Sequence, residues 1–318
     1  MTTDQTRSAG NIDLGPGKEF DLVRELLAEW GKSAQHIGDD AAIVKVPDGE
    51  KLVITTDTSV DGVHFRREWL NHFEIGYRAT AAALSDLAAM GARPLGIVIA
   101  LTLPEADRLE ARALATGIRE GASAVLCPIV GGDLSSGRIL SLTITALGGV
   151  KQLLSRAGAK VGQRVYVTGR LGGPAAAVRA WLAGKEPSER DRARFANPVP
   201  RIEPAIGLAE RGATSAIDIS DGLVADLGHI AAASKVRIEI DVDLIPRVPG
   251  VTPAQAANAG EEYEVVVTAP PIDTEPFSEE FGLDLTEIGR VVAGSGVDLL
   301  EGGKKITAPP GYDHFREK

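Results

Sequence analysis

The segment Lys51-Leu-Val-Ile-Thr-Thr-Asp57 alternates with period two: Leu52, Ile54 and Thr56 fall on one face, Val53, Thr55 and Asp57 on the other. It closes on a carboxylate. From Asn71 to Met90 the period becomes that of a helix, opened by a capping-box pair, Asn71 and Glu74, and followed by Gly91, where a helix end favours left-handed backbone. A one-sided strand followed by a helix of small residues buries both apolar faces by stacking helix on sheet, which points to a mixed α/β (α+β) fold. The pattern continues. Ile97–Leu103 reads as a strand and leads through Pro104 into a charged helix ending near Gly121. A short apolar strand over Ala124–Val130 then precedes Gly131-Gly132-Asp133. Ile139 to Leu147 sets Leu140, Leu142, Ile144 and Ala146 against Ser141, Thr143 and Thr145, as a sheet with one covered face requires.

Regular periodicity stops at Gly148-Gly149 and the polar stretch from Lys151 to Gln163, and resumes at Val165. The 318 residues are enough for two ordinary domains, so the break predicts a loose leader over residues 1–17, an N-terminal domain over 18–150 and a C-terminal α/β domain over 151–318. In the second domain, strands are expected at Arg164–Thr168, Ser215–Ile219, Val236–Val242 and Glu264–Thr268. Helices are expected at Pro174–Leu182 and Val224–Ser234, with a charged, Pro-bounded connection from Glu186 to Pro200.

The chain carries 44 acidic against 34 basic residues, a net charge of −10, with no Lys/Arg run, which argues against nucleic acid or an anionic membrane as partner. An anionic ligand would have to come with cations. No apolar run approaches the ~20 residues that span a bilayer, and the polar N-terminus has no secretory apolar core, so the cytoplasm is the expected address. A single cysteine, Cys127, excludes an intrachain disulfide and a Cys-rich zinc site. Aromatic residues make up only 4%, so pockets must be built from methyls, glycines and carboxylates.

Against that background seven aspartates are notable: Asp39, Asp40, Asp57, Asp86, Asp133, Asp218 and Asp221. Each lies at a strand end, a turn or a small-residue helix. On its helix Asp86 has Ala79, Ala82, Ala83, Ala89 and Met90 around it, and a charge on that face needs a cation, a donor set or a proton. The plain alternative is a buried Asp that caps a loop. Asp39-Asp40 are adjacent carboxylates whose repulsion a hard divalent cation relieves, or simply a solvated turn. Thr55-Thr56-Asp57 adds hydroxyl and carbonyl oxygens at a strand end; Gly131-Gly132-Asp133 combines close backbone approach with a carboxylate, or forms a plain turn. In Asp218-Ile-Ser-Asp221-Gly222-Leu223 a helix N-cap accounts for one residue but not both aspartates, and the helix start offers N–H groups to phosphate. Gly169-Arg-Leu-Gly172-Gly173-Pro174 is a second phosphate-loop candidate, although such turns are common without ligands. Gly31-Lys32-Ser33 is no Walker A, since position 26 is Leu26, and no nucleophile elbow or His-Glu-x-x-His occurs.

Taken in order, Gly38-Asp-Asp-Ala-Ala42, Thr55-Thr-Asp-Thr-Ser-Val-Asp-Gly-Val-His-Phe65, Leu84-Ser-Asp-Leu-Ala-Ala-Met-Gly-Ala92, Gly131-Gly-Asp133, Asp218-Ile-Ser-Asp-Gly-Leu223, Gly260-Glu-Glu-Tyr-Glu264 and Gly311-Tyr-Asp-His-Phe315 resemble the thiamine-monophosphate kinase family. The wider superfamily includes aminoimidazole ribonucleotide synthetase. The resemblance covers nearly the whole chain. It implies a two-domain subunit whose N-terminal sheet forms a barrel across a homodimer. The implied reaction is in-line transfer of the ATP γ-phosphoryl group to thiamine monophosphate, giving thiamine diphosphate, with several Mg2+ ions. By position it implies metal ligation by Asp40, Thr55, Thr56, Asp57, Asp86, Asp133, Asp218 and Asp221. Nucleotide contacts would fall to Gly132, Asp133, Arg156 and Ser220, and acceptor contacts to His64 and Glu261. No general base is implied, because the acceptor is a phosphate oxygen. The chain departs from the family at Leu134, which replaces a hydroxyl residue, at Glu262, where Asp is usual, and at Pro309-Pro310, where an aromatic is common. Two alternatives are another ATP-dependent enzyme of the superfamily and an acidic metal- or nucleotide-binding module without turnover.

Overall fold

The protein is described from a computed structural model, over residues 14 and 16–307. Residues 1–13 and 15 of the expected leader and the Pro309-Pro310 and Gly311–Phe315 segments lie outside the described residues. Two compact units form, one holding the chain to Leu87 with Arg93–Lys151, the other Ala88–Ala92 with the chain from Gln152 onward.

The first unit contains α1 (Lys18–Trp30), β1 (Lys51–Val60), α2 (His72–Ala89), β2 (Arg93–Leu103), α3 (Ala111–Ser123), β3 (Ile129–Ser136) and β4 (Ser141–Val150). Its sheet has the order β1-β4-β2-β3, antiparallel except for the β2–β3 pair, which α3 connects. α2 begins with the expected reciprocal box: the Glu74 N–H donates to Asn71 Oδ1 at 2.9 Å and the Asn71 N–H to Glu74 Oε2 at 3.0 Å. Gly91 follows in the left-handed region, φ 65°. Leu142, Ile144 and Ala146 of β4 are buried while Ser141, Thr143 and Thr145 are only half-buried, so the alternation reads as one covered face. α2 and α3 cross at backbone contact. A Cβ at Gly76 would lie 2.3 Å from the Leu114 carbonyl oxygen, and one at Gly117 would lie 1.9 Å from that of Phe73.

One strand differs from expectation. Ala124–Leu126 is not the start of a strand but the end of α3, where the Cys127 N–H reaches back to the Ala122 carbonyl at 2.9 Å and Leu126 is left-handed. Its apolar residues mimic a strand, but the chain becomes extended only past Pro128. β3 therefore begins at Ile129 and carries Gly131-Gly132-Asp133 within it, not in a turn. Cys127 is buried there, which pushes its thiol up to about 12.

The second unit runs β5 (Arg164–Thr168), α4 (Gly173–Leu182), α5 (Glu189–Ala196), α6 (Ile202–Glu210), β6 (Ser215–Asp218), α7 (Leu223–Ser234), β7 (Arg237–Asp241), α8 (Pro253–Ala257), β8 (Val265–Ala269), α9 (Thr274–Phe281), β9 (Leu285–Val292), β10 (Gly296–Glu301) and β11 (Lys304–Ile306). Its sheet has the order β11-β10-β7-β9-β5-β8-β6, with β7 and β10 as its parallel pair. Val165, Val167, Ile217, Leu227, Ile238, Val266 and Ile288 form its core. The expected connection from Glu186 to Pro200 holds helix α5, started by Ser188, whose Oγ accepts the Asp191 N–H. Only Asp191, Phe195 and Ala196 of α5 are buried, too narrow a stripe to register as an apolar face. Among the described residues no helix is long and apolar enough to cross a membrane.

Candidate active site

In the first unit the pleat sorts the candidate ligands. Val53, Thr55 and Asp57 of β1 turn toward the covered face, and Leu52, Ile54 and Thr56 toward the open one, where Ile54 is 60% exposed. Thr55 Oγ1 donates to Asp86 Oδ2 at 2.5 Å, which joins β1 to α2. Asp86 is half-buried within a run of buried Ala79, Ala82, Ala83 and Ala89, the setting its sequence neighbours predict. Thr56 turns its side chain the other way: its hydroxyl lies 3.1 Å from that of Thr145 on the open face. Only its main-chain carbonyl remains to join Thr55 and Asp57.

Asp133 is separated from Asp57 in two ways. Across the sheet Asp57 is in register with Ile144, Ile99 and Gly132, whereas Asp133 aligns with Ala100, Thr143 and Thr58 of the open face. The two carboxylates therefore sit on opposite faces and on opposite edge strands, three strand spacings or about 14 Å apart. Asp133 is exposed and its Oδ2 accepts from Ser135 Oγ at 3.3 Å, so a hydroxyl partner survives the Leu134 departure. Gly132 is obligatory here, because a Cβ would come within 2.4 Å of the Ile99 carbonyl oxygen. Beside it opens an apolar cleft lined by Leu26, Trp30, Ile99, Ile118, Gly132 and Leu134 among others.

Asp39 and Asp40 are exposed on a bend after Gly38, and the Asp40 N–H donates to Asp39 Oδ1 at 3.0 Å. His64 lies on a turn closed by the Gly62 N–H on the Phe65 carbonyl. Its Nδ1 accepts the Val60 N–H at 3.1 Å, which puts the proton of the neutral ring on Nε2 and presents a donor.

In the second unit Asp218 ends β6 and is buried, while Ser220 and Asp221 precede α7 and are half-buried. The N–H groups of Ser220, Asp221 and Gly222 do not await a phosphate, as the sequence suggested. All three donate to Asp226 Oδ2, at 3.1, 3.2 and 3.1 Å. Ser220 keeps only its hydroxyl for a ligand. Burial, and then the nearby Asp218 and Asp221 carboxylates, push the Asp226 acid up to about 8 despite those donors. Asp221, Asp226 and His229 each offer a ligand atom within 4.8 Å of one another. Sequence reasoning missed Asp226 and His229, although their spacing of three on one helix, just after Asp221, is a readable sign. Carboxylates that raise one another in this way suit a hard cation with oxygen ligands.

Glu261 is brought to Ser220. Its N–H donates to the Ser220 carbonyl at 2.8 Å, and a Cβ at Gly260 would lie 2.6 Å from that same oxygen. Arg156 is not brought there. Its carbonyl accepts from Ser234 Oγ, at the last residue of α7, whereas Asp221 stands before the first; a 12-residue helix separates the two by about 18 Å.

Models of the AIR synthase related protein match here, the N-terminal domain over residues 38–150 and the C-terminal domain over residues 160–300. A thiamine-monophosphate kinase of Haemophilus influenzae is 36% identical, over 94% of this chain and 98% of its own. The chain belongs to the thiamine-monophosphate kinase family. Thiamine-monophosphate kinase from Stenotrophomonas maltophilia K279a has a crystal structure that covers 83% of this chain and 89% of its own, at 38% identity and a TM-score of 0.77. AaThiL, complexed with AMPPCP and TMP, covers 93% of this chain and 96% of its own, at 32% identity and a TM-score of 0.74. Members of the thiamine-monophosphate kinase family are enzymes, and this chain is a phosphotransferase of that family.

Proposed function

We propose that the protein transfers the γ-phosphoryl group of ATP in line to the phosphate of thiamine monophosphate, yielding thiamine diphosphate and ADP. The observation that carries this reading is the near-full-length likeness to AaThiL, solved with AMPPCP and TMP, together with oxygen donors at each motif that the family pattern marks. The attacking atom is a phosphate oxygen already deprotonated near neutral pH, so the protein needs positioning and charge compensation more than a general base. His64 would donate through Nε2 and Glu261 would accept, which fits an acceptor with an anionic and a cationic end. The adenine would occupy the apolar cleft beside Gly132, with Asp133 at its rim. Ser220, by its hydroxyl, and Arg156 would be the further nucleotide contacts that the family pattern implies.

The residues present fit magnesium, since they are hard oxygen donors: Asp40, the Thr55 hydroxyl, the Thr56 carbonyl, Asp57, Asp86, Asp133, Asp218 and Asp221. Bound there, such ions supply screening between two anionic substrates and a bridge between phosphoryl oxygens. The N-terminal domain, 18–150, would bind metal and ATP and dimerise. A homodimer is what the family resemblance implies, with the β1 edge of one copy meeting the β3 edge of another to close a barrel. The enzyme would work in the cytoplasm.

The test is chromatography of the products after incubation with ATP, magnesium and thiamine monophosphate, with free thiamine in parallel. Thiamine diphosphate formed only from the monophosphate is the expected result. No product despite magnesium-dependent ATP binding would overturn the reading in favour of another reaction or a binding module.

A further inference from the structure

We propose that Glu262 is a positioning residue for acceptor binding, locking the glycine turn Gly169–Gly173 to the turn that carries Glu261. The inference rests on the reading of Glu261 as an acceptor contact. Glu261 and Tyr263 both adopt left-handed backbone, φ 63° and 53°, a conformation that side chains of this size hold only when their surroundings enforce it. One support is main chain: the N–H groups of Glu262 and Tyr263 donate to the Ile219 carbonyl at 3.0 and 2.9 Å. The other is a buried charge cluster. Glu261 faces outward, its Oε2 accepting from the Tyr263 hydroxyl at 2.7 Å, while Glu262 and Glu264 point inward with side chains 0% and 1% exposed.

The two inward carboxylates are not equivalent. Glu264 is fully engaged, by Thr168 Oγ1 at 2.7 Å, by Arg201 at 2.9 and 2.7 Å and by Arg194 at 3.1 Å. Glu262 receives only a marginal bond from Arg194, at 3.3 Å, and its short contact is the Gly172 N–H at 2.6 Å. Arg194 can only donate, so it cannot replace Glu262 as acceptor of that N–H. The glycine turn lies directly on this cluster. A Cβ at Gly169 would be 2.3 Å from Glu264 Oε1, and one at Gly173 would be 3.0 Å from Arg194 Cδ. These contacts explain the glycines without a phosphate, and the Gly172 N–H is already taken. The family departure at position 262 adds about 1.5 Å of reach, and that reach ends on the glycine turn. Without the Glu262 acceptor, a buried N–H is left unpaired and the strained turn loses its second support.

Glu262→Leu keeps the volume and removes the acceptor; Glu262→Gln keeps an oxygen for the Gly172 N–H. The leucine variant is expected to raise KM for thiamine monophosphate about tenfold, with kcat at saturation and KM for ATP within about twofold of the parent, and the glutamine variant to restore the parent KM. An unchanged KM in Glu262→Leu, or a Glu262→Gln variant as impaired as it, would overturn the proposal. Glu261→Gln tests the underlying reading separately: if it leaves that KM unchanged, Glu261 is no acceptor contact and the proposal falls with it. Should Glu262→Leu fail to fold, hydrogen exchange in the unmodified protein decides. Thiamine monophosphate without nucleotide should slow exchange in residues 169–173 together with 260–264; protection of 260–264 alone would overturn the coupling.

Discussion

Replacing Asp57 or Asp133 by Asn keeps size and one acceptor oxygen but removes the charge that, on the proposed reading, would hold a hard cation. Each substitution is expected to cut turnover by about 10²-fold or more with circular dichroism and thermal unfolding unchanged. Near-normal rates in both would remove these residues from metal binding. Glu262 makes a different prediction. Burial raises its acid to about 8, against the lowering pull of Arg194 and the Gly172 N–H. The folded state thus binds the proton more tightly than the unfolded chain, so the contribution of this group to stability is complete below the ordinary carboxyl value, near 4.5, and is lost as pH rises through about 8. Glu262→Gln should flatten that slope, seen as urea midpoints at pH 5.5 and 8.5 that differ less than in the parent; equal slopes would place the titration elsewhere. At this scale Asp86 was legible in the sequence, because helical neighbours are fixed by spacing. For Asp226 the sequence showed only its spacing from Asp221 and His229; its hold on the backbone N–H groups before the helix exists only once the turn is folded.

Helix packing gives a paired test. Alanine in place of glycine inside a helix gains roughly 0.5–1 kcal/mol from propensity and a stiffer unfolded chain. At Gly228 of α7 nothing lies within 4 Å of an added Cβ, so Gly228→Ala should stabilise by about that amount. At Gly117 the Cβ would meet the Phe73 carbonyl oxygen at 1.9 Å, and a backbone atom in another helix cannot step aside. Overpacking of about 1–3 kcal/mol then outweighs the gain, and Gly117→Ala should destabilise. Urea unfolding of both variants checks the pair; a shift of the same sign in each would mean that α2 and α3 do not cross this closely. The element that sequence misread, β3, begins five residues after the α3 C-cap Ala124, past a turn whose apolar side chains imitate a strand. α5 was hidden for the opposite reason, since three buried positions in a charged run leave no period to detect.

For the whole molecule, the proposed dimer predicts the sedimentation mass of two chains at micromolar concentration, and charges placed on the open β1 edge should lower it to that of one chain. A single-chain mass for the parent would overturn the dimer. The sequence by itself determined the strand and helix periods, the Asn71–Glu74 cap, the covered face of β4 and the family, because each is written in spacings of a few residues or in ordered motifs. The tertiary structure alone decided which aspartates share a location, that Asp226 takes the amides before α7, and that the Gly169–Gly173 turn answers buried carboxylates rather than a phosphate. Strand order, face parity across a sheet and the approach of one backbone to another join residues far apart in the chain, and no local pattern encodes which of them meet.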